Sequence, residues 1–302
     1  MRKRIKVTEE AGRIDAYIAT KIDVYSRSYL STLISDGLVK CNGEVVRAKY
    51  KPLVNDIIDI EIPDPVETET KAQDIPLDIV FEDDDLIIVN KPQGMVVHPA
   101  AGHFEGTLVN ALLHHCDGRL SDINGVIRPG IVHRIDKDTS GLMVAVKNNE
   151  THMAMAEMMA RHEVMRQYRC VVHGVVSPDK GTVDAPVGRS KNDRKKMTVT
   201  EDGKPAITHF EVVRRYSRAT DLSLLLETGR THQIRVRMSY IGHPPVGDLV
   251  YSPRRDTFGL SGQALHSKSI GFVHPRTGEQ LYFESELPDY YLNLLDRLEK
   301  EG

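Results

Sequence analysis

Apolar runs of strand length outnumber helical patterns along this chain, and the two do not alternate one for one. Residues 86–89, 142–147, 169–176, 207–213 and 222–226 read as strands. Residues 107–115, 151–161, 231–241 and 289–300 start on polar side chains and repeat apolar positions at helical spacing. A doubly wound parallel sheet requires a helix after almost every strand, so this ratio points to an α+β fold with a mixed sheet. No internal repeat or low-complexity tract interrupts the pattern.

The chain has 302 residues, 40% of them hydrophobic, enough for one large core and a small appended module. A stretch at 63–76, PDPVETETKAQDIP, carries three prolines and several acids without hydrophobic periodicity, as an extended, solvated linker does. The expected division is a module at 1–62, a linker at 63–76 and a large domain at 77–302. Neither a membrane span nor the apolar core of a signal peptide is evident, so the expected compartment is the cytoplasm. Cys41, Cys116 and Cys170 are isolated from one another, which suggests buried thiols rather than a disulfide framework or a zinc cage. The net charge of -3 argues against a uniformly basic nucleic-acid coat and leaves the distribution of charge to be read.

That distribution is uneven. Residues 1–62 hold Arg2, Lys3, Arg4, Lys6, Arg13, Lys21, Arg27, Lys40, Arg47, Lys49 and Lys51. Two short helical patterns, 13–21 and 26–36, end at Gly37, with Ser26 suited to cap the second. The run LVKCNGEVV then turns on Asn42-Gly43, a dipeptide that tolerates the positive φ angles of a tight hairpin, and IIDIEI supplies a further strand. This order resembles the S-four type of RNA-binding domain over residues 13–62. Basic helices of that kind bind phosphates by releasing counterions.

Two clusters concentrate unusual residue types. GIVHRIDKDTSGLMVAVKN at 130–148 places His133, Arg134, Asp136, Asp138, Thr139 and Ser140 just before a buried strand, where unpaired polar groups are costly. ETGRTHQIRVRMSYIGHPPVGD at 227–248 opens a helix with Thr231 as its expected cap, which would set Thr231 and Arg235 on one face. A third run, GRSKNDRKKM at 188–197, has five basic residues against one acid and reads as a loop that touches RNA phosphates.

HRIDKDTSG at 133–141 resembles the signature of the RluA/RluD family of pseudouridine synthases. NKPQGMVVHP at 90–99, residues 166–174 around Tyr168, ETGRTHQIRV at 227–236 and ALHSKSIGFVHPRTGE at 264–279 resemble further blocks of that family in the same order. Five ordered blocks across residues 77–290 weigh far more than one short motif. The resemblance implies a long, mostly antiparallel mixed sheet with helices and loops packed around an RNA-binding cleft. It makes Asp136 the catalytic carboxylate, Tyr168 the ring that lies against the target uracil, and Arg235 the cation paired with Asp136. Arg134 matches a residue that enters the RNA helix where the target base leaves, and His133, Thr139, Arg230 and Lys91 are expected at the substrate. Two departures are YSPRRD at 251–256, where many relatives have a tyrosine-glycine turn, and Arg166, where lysine is frequent.

The implied reaction breaks a carbon–nitrogen glycosidic bond and makes a carbon–carbon one without net oxidation, so no cofactor is expected. A carboxylate serves as nucleophile and leaves again, provided a guanidinium keeps it charged in a cleft. The uracil must leave its stack first, which calls for a wedge and a stacking platform. Likeness to the RluD branch makes large-subunit ribosomal RNA the expected partner, read by a monomer. Two other readings are a non-catalytic RNA-binding or ribosome-assembly factor on the same fold, and a metal-dependent hydrolase suggested by His98, His103, His114, His115 and Cys116. The first predicts a missing nucleophile, and Asp136 is present. The second lacks an HExxH or paired-ligand spacing, since His114 and His115 on a helix point about 100° apart.

Overall fold

The computed structural model describes residues 2–22, 27–61, 70–100, 103–123, 128–190, 193, 196–252 and 256–301. It divides into two compact units, Met1–Glu67 and Thr68–Gly302. Ser26, the first part of the expected linker, and the basic residues Lys191, Arg194 and Lys195 lie outside the described residues, as do residues 253–255. No helix among those described is long and apolar enough to cross a membrane.

The first unit comprises β1 (Arg2–Lys6), α1 (Ile14–Lys21), α2 (Arg27–Ser35), β2 (Val39–Cys41), β3 (Glu44–Val45) and β4 (Ile57–Glu61). Its antiparallel sheet has the order β1-β4-β2-β3. Asn42 and Gly43 both take positive φ, 51° and 87°, so the hairpin forms where that dipeptide stands. Ile14, Ile18, Leu30, Leu33 and Ile34 from the helices close over Val39, Ile58 and Ile60 of the sheet. Strand β1 has no apolar signature in the sequence. It is an edge strand whose Arg2 and Arg4 pair with Glu61 and Asp59 across β4.

The second unit contains β5 (Ile79–Glu82), β6 (Leu86–Lys91), α3 (Leu108–His115), β7 (Ser140–Val146), α4 (Asn149–Ala160), β8 (Met165–His173), β9 (Lys180–Asp184) and β10 (Val187–Arg189). It continues through β11 (Met197–Val199), β12 (Ile207–Arg215), β13 (Ala219–Leu226), α5 (Gln233–Tyr240), β14 (Leu265–Val273), β15 (Gln280–Glu284) and α6 (Asp289–Lys300). Eight strands lie in the order β5-β6-β7-β14-β8-β13-β12-β9, with β15 also on β14; β10 and β11 form a separate hairpin. Every pairing is antiparallel except β7 with β14. The fold is thus α+β with a mixed, mostly antiparallel sheet.

Sequence pattern tracks position in this sheet. Strand β7 is buried at all seven residues, as its unbroken apolar run requires of a central strand, whereas the outlying β15 alternates between half-buried and exposed. Helix α6 seats Tyr291, Leu294 and Leu298 against Val171, Ala219 and Val246. Helix α3 is closed by a reciprocal cap between Thr107 and Asn110. The chain before the sheet is pinned to it: the Asn110 amide donates to the Lys71 carbonyl, and the Gln73 N–H donates to the Asn110 carbonyl. Residues 71–73, expected as free linker, are thereby part of the second unit.

Candidate active site

The loop between Ile131 and β7 carries Asp136, and its shape is set from below. Lys91, at the end of β6, is 1% exposed and directs its ammonium to the carbonyls of Pro92, Met95 and Lys137 at 2.9, 2.9 and 3.0 Å. The Gly94 N–H also donates to Lys137 O, Gln93 Nε2 donates to the Asp138 carbonyl, and Gln263 Nε2 donates to Thr139 Oγ1. The NKPQG segment is therefore a cradle for the Asp136 loop. Desolvation pushes the Lys91 pKa down to about 7, against the pull of Asp138 and Asp136. Three carbonyl acceptors match the three donors of the ammonium form.

Behind this loop β7 and β14 meet in parallel at Ser140–His266 and Gly141–Ser267. The backbones come so close that a Cβ on Gly141, whose φ is 110°, would overlap the Ser267 backbone. Beyond that contact, the Val144 N–H is met by His133 Nε2 at 3.1 Å instead of by a strand. An acceptor Nε2 puts the ring proton on Nδ1. Burial, reinforced by Arg166, lowers the His133 pKa to about 3 and keeps the ring neutral.

Asp136 emerges into a cavity of about 500 Å³ lined by Arg134, Thr139, Arg166, Tyr168, Arg230 and Arg235, among others. Arg235 Nη1 donates to Asp136 Oδ2 at 2.8 Å. The same guanidinium donates from Nε and Nη2 to both oxygens of Asp248, at 2.7 and 3.0 Å, and that carboxylate is wholly buried. Burial opposes the Arg235 charge, but the bonds to Asp248 and Asp136 more than offset it and its pKa is raised. Tyr251 lies against the guanidinium, 5.2 Å from ring centroid to Cζ. The Tyr251 hydroxyl meets His232 Nδ1 at 3.0 Å and accepts from the Met197 N–H at 2.9 Å, while His232 Nε2 lies 3.8 Å from Asp136.

Tyr168 sits within β8, paired with Ser267 of β14 and Leu224 of β13, and is 6% exposed. Its hydroxyl bonds Ser267, and burial raises its pKa, opposed by Arg166, so it enters as a neutral phenol. Thr231 stands outside α5. The helix begins at Gln233 after His232, which has a left-handed φ of 55° and caps nothing with its side chain. The Thr231–Arg235 face expected from the spacing therefore does not exist. Instead Thr231 Oγ1 accepts from Arg134 at 3.2 Å. Gln233 organises the turn, accepting from the Arg230 N–H and Thr228 Oγ1 and donating to the Ile207 carbonyl.

The structure thus brings Asp136, Tyr168, Arg235, Arg134, Thr139 and Arg230 to one cavity, and His133 to its wall. Lys91, expected at the substrate, lies beneath the loop, while Thr139 and His133 spend their polar atoms on Gln263 and β7. Asp248, Tyr251 and Ser267 had no assigned role. Asp248 closes the second polar cluster, and that position in GHPPVGD was its only signal.

Of the histidines suggested for a metal, His115 bonds Glu82 and His98 is buried. A different trio, Asp83, Asp85 and His274, has its ligand atoms within 4.8 Å of one another. His274 Nδ1 accepts from the N–H groups of Arg276 and Thr277, which leaves the proton on Nε2, 3.0 Å from Asp83. Asp85 of this trio is paired with Arg276, whose Nε lies 2.5 Å from its carboxylate.

A family model described as RNA pseudouridylate synthase matches residues 85–240, and one described as S4 domain matches residues 12–58. The uncharacterized RNA pseudouridine synthase YlyB of Bacillus subtilis is 50% identical over 97% of this chain and 96% of its own length. The ribosomal large subunit pseudouridine synthase D of Zymomonas mobilis is 47% identical, covering 95% of this chain and 94% of that protein. Among solved structures, human RNA pseudouridylate synthase domain containing 1 is similar in fold, with a TM-score of 0.60 and 24% identity over 75% of this chain and 89% of that one. Taken with the cavity that holds Asp136 against Arg235, these matches show that the chain belongs to the RNA pseudouridylate synthase family.

Proposed function

We propose that this enzyme isomerises uridine to pseudouridine in large-subunit ribosomal RNA, with Asp136 as nucleophile, Arg235 as its counter-charge and Tyr168 as the ring beneath the uracil. One observation carries the assignment: Asp136 is the carboxylate of the cavity that remains open to substrate, because Asp248 is sealed behind Arg235. Arg235 is held on its far side by a bidentate pair, so its remaining Nη1 is aimed at Asp136 without reorganisation. The relative from Zymomonas mobilis, named for the large ribosomal subunit, supports the choice of RNA.

In this reading the flipped uridine enters the cavity and the Asp136 carboxylate bonds to it as the N1–C1′ bond breaks. The freed uracil turns, C5 bonds to C1′, Asp136 leaves, and the C5 proton departs while N1 gains one. Neither an oxidant nor an energy donor enters this balance, so the reading carries no cofactor. Tyr168, a neutral phenol, supports the ring, and the Asp136 carboxylate freed as C5 bonds to C1′ is the base at hand for the C5 proton. Arg134, exposed and tied to Thr231, is the wedge that fills the gap in the stack. His133, Thr139 and Lys91 act on substrate through the loop they brace. The N-terminal unit binds RNA, and in this reading the enzyme acts as a monomer in the cytoplasm. The test is to incubate unmodified large-subunit ribosomal RNA with purified protein and map pseudouridine at nucleotide resolution. New pseudouridine at discrete positions is expected. An RNA left unmodified, beside a small-subunit or transfer RNA that is converted, would overturn the substrate assignment.

A further inference from the structure

Of the four arginines that line the active-site cavity, three leave no buried donor without a partner. Arg235 is shared by two carboxylates, Arg134 meets Thr231, and Arg230 Nε donates to the Pro205 carbonyl. Arg166 differs. It is 6% exposed, its Nε is buried with no hydrogen-bond partner, and Nη2 makes one long bond, 3.3 Å, to the Glu227 carbonyl. Among the described residues no carboxylate lies within ion-pair distance of it. A buried guanidinium left in that state is costly, and a neutral partner compensates it poorly.

The surroundings keep room for this cation. A Cβ on Gly229 would fall 2.6 Å from Arg166 Nη1, so glycine at that position clears the space in which the guanidinium lies. The φ of Gly229 is not in the left-handed region, so backbone conformation does not explain the choice. Arg166 also precedes Tyr168 on β8 by two residues, so both side chains leave the strand on its cavity face.

We propose that Arg166 binds a phosphodiester adjoining the flipped uridine, and that Gly229 seats it for that contact. The inference rests on the reading that a uridine is flipped into this cavity. Uracil carries no charge, whereas each nucleotide brings a singly charged phosphodiester on either side, and the guanidinium fork matches two phosphate oxygens. The contact forms only once the nucleotide has left its stack. Arg166 therefore stabilises the flipped state and contributes to kcat more than to affinity for the stacked RNA.

The test uses full-length protein and a synthetic stem-loop containing the uridine mapped as above, made with native linkages or with an uncharged methylphosphonate 5′ or 3′ to that uridine. For wild type, one of the two methylphosphonates should lower kcat roughly 10- to 100-fold, the range for a hydrogen bond to a charged group. Arg166→Met should be slower by a similar factor on native RNA, bind it with unchanged affinity, and show no further loss with that methylphosphonate. Arg166→Lys should keep part of the penalty. Gly229→Ala displaces only the end of a flexible side chain, so it should fold normally and reproduce part of the Arg166→Met defect even if the latter folds poorly. An Arg166→Met or Gly229→Ala enzyme that loses as much as wild type on each methylphosphonate would overturn the proposal, as would wild-type turnover indifferent to both. A wild type that leaves native stem-loop unmodified would overturn the underlying reading of function, and this inference with it.

Discussion

At the scale of single residues the site is built around one guanidinium between two carboxylates with different exposure. Asp136 and Arg235 stand out in the sequence because their blocks concentrate charged and hydroxyl side chains beside a strand or a helix. Asp248 does not, since a carboxylate 13 residues beyond Arg235 has no periodic relation to it. Lys91, Thr139 and His133 were legible as members of the site and not in their roles, because residue identity does not reveal which way a side chain turns. Removing Asp248 strips Arg235 of two charge-assisted bonds and frees the N–H groups of Val250 and Tyr251. Asp248→Ala should therefore lose about 3 kcal/mol of stability and most of its turnover, measured by urea denaturation and pseudouridine formation. Stability within about 1 kcal/mol of wild type would contradict this. Acid sensitivity belongs to the same scale. Burial, with Lys268 nearby, lowers the His266 pKa to about 4 from an ordinary value of 6.5, and its two ring nitrogens meet Ser140 and Ser285. A depressed folded pKa means that its contribution is complete above pH 6.5 and lost as pH falls toward 4. His266 alone should then cost about 2 kcal/mol between pH 6.5 and 5, and His266→Gln should flatten that part of the stability profile.

Among the elements, central strands were the most legible and ends the least. The unbroken apolar run of β7 announced a strand covered on both faces, while β1, written RKRIK, shows no apolar face because it is an edge. The sequence points to Thr231 as the cap of α5, whereas the helix is entered through His232, since nothing in the sequence distinguishes a left-handed His232 from an ordinary helical residue. The parallel contact of β7 with β14 depends on one position. Gly141→Ala should separate the strands at Ser267, lowering stability by at least about 3 kcal/mol and displacing the loop of Asp136. Thermal denaturation checks the first effect and turnover the second. A variant with native stability and rate would show that the close approach is dispensable.

For the whole molecule, the α+β class and mixed sheet followed from the ratio of strands to helices, whereas the edge of the second unit did not. Prolines and acids made residues 63–76 resemble a free tether, yet Lys71 and Gln73 satisfy the buried Asn110 amide and backbone. A fragment of residues 70–302 should fold and modify a saturating stem-loop, and one of residues 77–302 should be less stable by about 1–3 kcal/mol, because it leaves that amide unpaired. Equal stability would return residues 70–76 to the tether. Either fragment should show a shallower salt dependence of RNA binding, by about 0.9 in log-log slope for each duplex phosphate that the missing unit would have neutralised. Arg2 and Arg4 already face Glu61 and Asp59, so that neutralisation comes from other cations, such as the exposed Lys40, Arg47, Lys49 and Lys51.

The claim that joins these scales is that Asp136 forms the bond to RNA while the rest of the molecule positions it. The most direct measurement is quantitative pseudouridine mapping of large-subunit ribosomal RNA treated with wild type or with Asp136→Asn, which keeps the shape of the side chain and removes the nucleophile. The variant should bind the RNA with wild-type affinity and form no pseudouridine at any position that the wild type converts. Pseudouridine formed by Asp136→Asn, free of deamidated protein, at those same positions would contradict the account.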